Sequence, residues 1–403
     1  MKPKSFPTEL TWTFAVFALM LMFVSSAQAA NKYKVLHHFL NNPASHPETA
    51  LVADPAGNLY GTTRFSSGKC DCGAIFKLTR QSGGKWTYSV IHLFKGPDGA
   101  APMGSLVFDS AGNLYGTTQN GGTYDNGVAF ELSPSANQWK EKVLYSFGVT
   151  SDDLQAPQGA VSFDTSGNLY GTASSGGAYL VQGGIFELKR SGSRWKEIAI
   201  YGFTGGPDGG DPMGNLVWDP VGNLYGTTFS GGHGFGLVFE LSPSSDGTWT
   251  ESVLYTFARA NDGCCPTSGV IRDPAGNLYG TSPESSGGSG TVYELTSSMG
   301  NWSFSLLHTF LGADGATPHA GLTLDSTGNL FGTTEQGGAH DDGVVFKLSQ
   351  SGNSWTEDVI YSFDVLHGVP PSGELILDQQ GAIYGTAGFG GVNGSGVVFS
   401  ITP

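Results

Sequence analysis

The sequence predicts an all-β protein, a seven-bladed β-propeller with four antiparallel strands in each blade. Three observations predict this fold. A unit of about 53 residues occurs seven times, each unit contains four strand-like runs separated by turns, and glycine is abundant. Glycine accounts for 62 of the 403 residues, whereas only 13% of residues are charged. Four strands at this period is the spacing of a propeller blade.

A nine-residue motif marks each repeat: an aspartate, two variable residues and then Gly-Asn-Leu-Tyr-Gly-Thr. The aspartates that open the seven copies are Asp54, Asp109, Asp164, Asp219, Asp273, Asp325 and Asp378. The last two copies differ slightly, because Phe331 replaces the tyrosine of one and Ala382-Ile383 replaces Asn-Leu in the other. A period this regular indicates one supersecondary unit that packs on copies of itself.

The second repeat shows the four predicted strands most clearly. Its apolar runs cover residues 105–109, 114–118, 128–132 and 139–147. Between the first two runs, Asp109 can accept backbone hydrogen bonds and Gly112 can adopt the positive φ of a turn. Each repeat is therefore predicted to contain four strands, and no amphipathic helix is predicted in residues 30–403.

A tryptophan begins the fourth predicted strand in six of the repeats. These residues are Trp86, Trp139, Trp195, Trp249, Trp302 and Trp355. One large aromatic residue per repeat is a packing pattern. We therefore expect the tryptophans to pack between neighbouring blades.

The two ends of the chain are predicted to share one blade. The last repeat reaches only its third strand, at residues 397–401. Residues 34–39 match the fourth-strand pattern of residues 142–147. The N-terminal strand is therefore predicted to complete the last blade, which removes an exposed sheet edge.

Residues 1–29 are predicted to be a signal peptide. Lys2 and Lys4 are followed by an apolar run over residues 12–24 and by Ala27-Gln28-Ala29. The small residues predict cleavage after Ala29, and the run of about 13 residues is shorter than the 20 or so that span a membrane. The propeller would then occupy residues 30–403 of a secreted or periplasmic protein.

The repeat motif resembles the GloVer tandem-repeat family of secreted bacterial proteins. The resemblance rests on the seven Asp-x-x-Gly-Asn-Leu-Tyr-Gly-Thr copies, the Gly-Gly that follows them and strands such as Gly-Leu-Val-Phe-Glu-Leu. It covers nearly all of residues 34–403 and implies an exported repeat protein of undefined biochemical role. The order of Gly-Gly and then Trp is also loosely similar to kelch propellers.

The charge of the chain limits its partners. The net charge is −15, and nucleic-acid binding requires a basic surface that neutralises phosphates. No stretch after residue 29 is apolar for long enough to span a membrane. We expect a monomer without nucleic-acid or membrane partners.

Asp-Gly sequences recur in the loops that join the fourth strand of one repeat to the first strand of the next. They contain Asp98, Asp208, Asp262 and Asp314. These loops belong to the face that usually carries function in propellers, so we expect the four carboxylates around the central opening. Such a ring can bind sugar hydroxyls or a hard cation such as Ca²⁺. The alternative is that Asp-Gly recurs because the turn geometry recurs.

The loops between the second and third strands vary most among the repeats, and variable loops are where specificity can reside. Tyr124, His233 and His340 lie in these loops, in two cases beside aspartates. Aromatic rings next to carboxylates suit sugar binding. The nine histidines form no metal-binding motif, and no cofactor other than Ca²⁺ is suggested.

The four cysteines form two close pairs, Cys70 with Cys72 and Cys264 with Cys265. Export favours oxidation, so local disulfides are expected within each pair. Bridges across the ring, and free thiols or metal ligation, remain alternatives.

These features predict an exported, non-enzymatic module that binds a glycan or a protein through the loop face. The alternative is a carbohydrate-active enzyme, of glycosidase or lyase type, that uses loop carboxylates on the same face. A scaffold without a small-molecule site is the third possibility.

Overall fold

The computed structural model describes residues 31–402 apart from residues 68, 137, 151, 178–181, 193, 299 and 353. Within these residues, seven antiparallel sheets of four or five strands form the blades of a β-propeller, as predicted. The predicted signal peptide, residues 1–29, lies outside the described residues. No helix in the described part of the chain is long and apolar enough to cross a membrane.

The strands follow the repeat, and in each blade the first strand is innermost. Strands β1 (Lys32–His38) and β2 (Ala44–Ser45) come before blade 1. Blade 1 contains β3 (Val52–Ala53), β4 (Leu59–Thr63), β6 (Ala74–Arg80) and β7 (Trp86–Leu93), while β5 (Phe65–Ser66) pairs with β2. Blade 2 contains β8 (Val107–Phe108), β9 (Leu114–Thr118), β10 (Val128–Ser135) and β11 (Gln138–Ser146). Blade 3 contains β13 (Ser162–Phe163), β14 (Leu169–Gly176), β15 (Gly184–Ser191) and β16 (Arg194–Gly202), with β12 (Leu154–Pro157) beside β14.

The remaining blades repeat the order. Blade 4 contains β17 (Val217–Trp218), β18 (Leu224–Thr228), β19 (Leu237–Pro243) and β20 (Trp249–Thr256). Blade 5 contains β21 (Ile271–Arg272), β22 (Leu278–Ser282), β23 (Thr291–Ser298) and β24 (Asn301–Thr309). Blade 6 contains β25 (Thr323–Leu324), β26 (Leu330–Thr334), β27 (Val344–Ser351) and β28 (Ser354–Ser362). Blade 7 contains β30 (Ile376–Leu377), β31 (Ile383–Phe389) and β32 (Val397–Thr402), with β29 (Val369–Pro371) beside β31.

The N-terminal strand completes blade 7, as predicted. Strand β1 pairs antiparallel with β32, in a register that runs from Lys32 opposite Thr402 to His38 opposite Val397. This pairing joins both ends of the described chain in one sheet and covers the edge of β32.

Each turn aspartate organises the turn between the first two strands, as predicted. In blade 2, Asp109 Oδ1 accepts the backbone N–H groups of Ala111 and Asn113, both at 2.9 Å. Its Oδ2 accepts the Asn113 side-chain amide at 2.8 Å and the Tyr115 hydroxyl at 3.3 Å. These contacts explain the Asp-x-x-Gly-Asn-Leu-Tyr spacing of the motif.

The glycine of the second strand makes room for an aromatic ring within the blade. Gly116 lies opposite Phe130 in the register of β9 and β10. A Cβ atom on Gly116 would lie only 2.8 Å from Phe130 Cζ. Phe130 is completely buried, so this position requires glycine.

The tryptophans pack between blades, as predicted. The indole of Trp139 in blade 2 meets the ring of Tyr60 in blade 1, with centroids 5.9 Å apart. Trp302 meets Tyr225 across the boundary between blades 4 and 5, at 6.0 Å. The tyrosine of the motif therefore has two roles, since its hydroxyl bonds the turn and its ring packs on the next blade.

Threonines of the second strands link neighbouring blades close to the axis. Their hydroxyl groups donate to backbone carbonyls of the following blade in the pairs Thr117–Gly159, Thr172–Gly214, Thr227–Ser268, Thr281–Ala320 and Thr386–Thr49. These bonds hold the segments that line the axis in a fixed position.

A β-bulge recurs in the fourth strand of every blade. In blade 2, Ala129 pairs with Tyr145 and Phe130 pairs with Val143, so Leu144 is the extra residue. A bulge reverses the alternation of side chains beyond it. Residues four apart, such as Glu141 and Tyr145, therefore face opposite neighbours.

Candidate functional site

The four loop aspartates do not lie around the central opening, so that expectation was wrong. Each bonds a backbone N–H group of its own loop and approaches a Tyr or His side chain at the end of the preceding outer strand. The backbone donors are Lys95 for Asp98, Thr204 for Asp208, Ala258 for Asp262 and Leu311 for Asp314. The side chains are His92, Tyr201, Tyr255 and His308 in the same order. The loop leaves the outermost strand, so its first half remains at the outside of the ring.

The three predicted residues of the variable loops are exposed on different blades. Tyr124, His233 and His340 lie in blades 2, 4 and 6. Within the described residues, no hydrogen bond, ion pair or ring contact joins any two of them. They remain a prediction for the loop face.

The cysteine pairs differ from each other. Cys70 and Cys72 form a local disulfide, as expected. Cys264 and Cys265 are free, so the expectation of a second local disulfide was wrong. Cys264 is buried, and its backbone N–H donates a hydrogen bond to the Ser282 hydroxyl.

The axis of the propeller contains a cavity of about 120 Å³. Its walls come from the segment between the loop and the first strand of each blade, where a proline is followed by three residues that face the axis. These triplets are 48–50, 103–105, 158–160, 213–215, 267–269, 319–321 and 372–374, and most of their residues line the cavity. The backbone is the same seven times, whereas the side chains differ.

At the third position of the triplets, two blades carry a long polar side chain that departs from the seven-fold repeat of the cavity wall. Asn215 Nδ2 in blade 4 donates to Glu374 Oε1 in blade 7 at 3.0 Å, which spans the axis. Asn215 Oδ1 also accepts the backbone N–H of Ala160 at 2.7 Å. Gly321 in blade 6 has no side chain and leaves the space that the Glu374 carboxyl fills. Burial raises the pKa of Glu374 to about 7, against the hydrogen bond from Asn215.

The charged groups around the cavity entrance lie on blades 1 and 6. We call Glu48, Arg64, His319 and Glu335 the axial mouth. Arg64 Nη1 lies 3.3 Å from Glu48 Oε2, and His319 Nε2 lies 3.8 Å from Glu335 Oε2. The imidazole Nδ1 of His319 lies 3.1 Å from the hydroxyl of Thr267, the neighbouring blade's residue.

Both carboxyl groups of the axial mouth hold their protons more tightly than an ordinary glutamate. Burial raises the pKa of Glu48 against the opposing effect of Arg64, and the charge of Glu335 raises it further. Burial also raises the pKa of Glu335, against His319. The mouth therefore offers two carboxyl groups that influence each other, one guanidinium and one imidazole.

On the opposite side of the entrance, the first residues of the described triplets carry no charge. The triplets of blades 2 to 5 place Met103, Gln158, Met213 and Thr267 at the positions that Glu48 and His319 occupy elsewhere. Gln158 Nε2 donates to the Ser174 hydroxyl at 2.9 Å. One half of the opening thus presents thioethers, an amide and a hydroxyl, and the other half presents ionisable groups.

Sequence reasoning missed Glu48, Glu335, Asn215 and Glu374. For Asn215 and Glu374 the signal was present, because alignment of the seven triplets shows Ala, Ser, Ala, Asn, Gly, Gly and Glu at their third position. A proline precedes every triplet, so the backbone conformation repeats while the side chain at the third position differs from blade to blade.

Comparison with known proteins adds the family and the fold. The model of the Gloeobacter/Verrucomicrobia repeat matches residues 22–161, 142–301 and 281–403. No curated protein matches the chain. The structure is similar to that of a candidate 6-phosphogluconolactonase from Bacteroides uniformis, with a TM-score of 0.55, 14% identity and coverage of 82% of this chain and 88% of that chain. It is also similar to a protein from Lactobacillus plantarum, with a TM-score of 0.51, 15% identity and coverage of 81% and 88%. At these identities the likeness shows the propeller fold alone.

Proposed function

Because the chain belongs to the Gloeobacter/Verrucomicrobia repeat family and folds as a seven-bladed propeller, we propose that it binds a glycan at the axial mouth. The observation that carries the proposal is the division of the opening into a charged half and an uncharged half. A sugar has hydroxyl groups that bond carboxylates and cations, and C–H faces that pack on apolar side chains.

The chemistry of each half fits one side of a sugar ring. Glu48 and Glu335 can accept hydrogen bonds from hydroxyl groups, and Arg64 can donate to ring or hydroxyl oxygens. Met213 and Met103 offer flexible, polarisable surface to the C–H faces. A concave site with a few convergent polar groups is the usual form of a ligand site.

The size of the cavity limits how much of the ligand enters it. Its volume of about 120 Å³ is smaller than the roughly 300–1,000 Å³ of sites that enclose drug-sized ligands. The hydrogen bond between Asn215 and Glu374 crosses the axis below the entrance. We propose that a terminal sugar inserts at the mouth and that the rest of the glycan lies on the loop face, where Tyr124, His233 and His340 are exposed.

We further propose that this binding takes place outside the cytoplasm. The basic start, the short apolar run and the Ala-x-Ala sequence of residues 1–29 support export. The net charge of −15 disfavours nucleic acid as the partner.

Glycoside cleavage is a second candidate function, favoured by the raised pKa of both Glu48 and Glu335. A glycosidase uses one carboxylic acid as a proton donor and a second carboxyl group as base or nucleophile. Two carboxyl groups that hold their protons more tightly than ordinary glutamates suit the first of these needs.

The test begins with the purified protein on a glycan array, with and without Ca²⁺, followed by calorimetric titration of the strongest glycan. Glu48→Gln and Glu335→Gln are each expected to weaken binding at least ten-fold, because the amide keeps one acceptor oxygen, turns the other into a donor and carries no negative charge. Release of reducing ends by the wild type but not by Glu335→Gln would establish cleavage as well as binding.

Glu284→Gln is the matched control. Glu284 lies in the same type of loop in blade 5, but it is exposed and pairs with Arg259 at 3.0 Å. Its replacement should leave affinity unchanged. Equal affinity of all three variants and the wild type would place the glycan away from the axial mouth.

A further inference from the structure

The boundaries between the outermost strands of neighbouring blades repeat one geometry seven times. Each boundary receives a Tyr or His from the bulged end of one fourth strand. It also receives a residue from the fourth strand of the next blade, four positions before the Tyr or His of that strand. The bulge between these two residues turns them to opposite faces of their blade, as it does for Glu141 and Tyr145. We call these contacts the outer boundaries.

Three outer boundaries are closed by stacked rings. Tyr88 stacks on His37 with centroids 3.9 Å apart, Phe304 on Tyr255 at 4.2 Å, and Tyr33 on Tyr361 at 4.1 Å. The other four carry a glutamate in place of the stacking ring, and a loop aspartate lies beside it. The glutamates are Glu141, Glu197, Glu251 and Glu357.

Two of these four boundaries combine the glutamate with a histidine instead of a tyrosine. His92, Asp98 and Glu141 meet between blades 1 and 2, and their ligand atoms all lie within 4.8 Å of one another. His308, Asp314 and Glu357 form the same arrangement between blades 5 and 6. His92 Nε2 lies 3.3 Å from Asp98 Oδ2, and the corresponding distance between His308 and Asp314 is 3.0 Å.

We propose that each His–Asp–Glu group binds one divalent transition-metal ion of the Zn²⁺ class. One imidazole nitrogen and two carboxylate oxygens are ligands that such ions accept, with water in a fourth position. Two ligands each about 2.0 Å from a tetrahedral ion are about 3.3 Å apart, which agrees with the distances between the histidine and aspartate atoms.

Buried atoms aimed into each group support the proposal. Within the described residues, Glu141 Oε1, His92 Nε2 and Glu357 Oε1 are shielded from solvent and have no hydrogen-bond partner. A metal ion would satisfy them. Glu197 and Glu251 also have an unpaired oxygen, but their boundaries hold a tyrosine, whose phenol provides no nitrogen ligand. The side chains of His92 and Asp98 retain 14% and 19% of their exposure, so the group lies near the protein surface although its unpaired atoms are shielded from solvent.

The ion would link two blades. His92 and Asp98 belong to the end of blade 1 and the loop that leaves it, whereas Glu141 lies on the outer strand of blade 2. Binding to the folded state alone raises stability with ion concentration. These two sites are separate from the axial mouth, so neither proposal depends on the other.

Equilibrium dialysis of the tag-free protein against Zn²⁺ tests the proposal by counting bound ions. His92→Tyr and His308→Tyr are each expected to remove one ion per chain, and the double variant two. Tyrosine occupies this position in four other blades, so these variants should keep the fold and the melting temperature without metal. Cys264 and Cys265 are unchanged throughout, so any ion bound by them cancels in the comparison.

Matched variants sharpen the count. Tyr145→His should add one ion, because Asp153 and Glu197 already lie at that boundary. Glu141→Gln should weaken one site at least ten-fold, whereas Glu197→Gln should leave the count unchanged. Equal Zn²⁺ binding by the wild type and the double histidine variant would overturn the proposal.

Discussion

Glu374 and Glu197 are both glutamates held between blades, yet their surroundings differ. Glu374 faces the axial cavity and accepts a hydrogen bond from Asn215 of a distant blade. Glu197 lies at an outer boundary, where its Oε1 has no partner among the described residues. Burial raises the pKa of Glu374 to about 7; burial and then the charge of Asp153 raise that of Glu197 to about 8. A raised pKa therefore does not by itself show whether a glutamate links two blades, as Glu374 does, or is repelled by a neighbouring carboxyl group, as Glu197 is by Asp153.

Asn215→Leu tests the link at the axis and should have the largest effect. It removes the donor to Glu374 and the acceptor for the backbone N–H of Ala160, at a cost of about 2–4 kcal/mol in the free energy of unfolding. Urea denaturation measures it. Met213→Leu, two residues away and similar in volume, should cost less than about 1.5 kcal/mol. Equal losses in both variants would show that the bond across the axis adds nothing.

The pH dependence of stability tests the ionisation of Glu374. The pKa of Glu374 rises from its ordinary 4.5 to about 7 on folding, so the folded state holds the proton over that range and the unfolded state does not. Stability should therefore fall as pH rises from 5 to 7. Glu374→Gln should match the wild type near pH 5 and exceed it by about 2 kcal/mol at pH 8. Urea denaturation of both proteins at the two pH values measures the difference. If the stability of the wild type and of Glu374→Gln changed with pH in the same way, Glu374 would not have a raised pKa in the folded state.

Glu197→Gln should have a smaller effect that extends over a wider pH range. The pKa of Glu197 rises from 4.5 to about 8 on folding, so the folded state keeps a proton that the unfolded state loses as pH rises through that range, and glutamine removes this cost. We expect no gain at pH 4 and a gain of about 1–2 kcal/mol at pH 9, because Glu197 is only partly buried. Thermal melting at the two pH values measures the gain, with exposed Glu284→Gln as the control that should change neither. A gain at pH 4 would indicate a packing effect instead.

His92→Tyr in metal-free protein should have the smallest effect. Tyrosine already pairs with the loop aspartate at other boundaries, as Tyr255 does with Asp262 at 2.9 Å. The free energy of unfolding should change by less than about 0.5 kcal/mol. A larger loss in urea denaturation would mean that this boundary differs from the others in its packing.

The fold could be predicted from the sequence because its determinants are local and repeated. The turn aspartate, the glycine beneath the phenylalanine ring and the tryptophan of the fourth strand each recur at one period. The contact between Asn215 and Glu374 could not be predicted in that way, since it joins residues 159 positions apart and exists only in the closed ring. The loop aspartates were misplaced because the bulge, which turns the Tyr or His towards them, leaves no clear signal in the residue pattern.

The pairing of β1 with β32 also determines when the molecule can finish folding. Residues 32–38 have no neighbouring strand in their sheet until residues 397–402 have been synthesised, a separation of 370 residues between Lys32 and Thr402. The entropy lost on closing so long a segment is recovered only at the end of folding. Until then two open strand edges can pair with other chains, so the time between synthesis of the first and last strands sets the risk of aggregation.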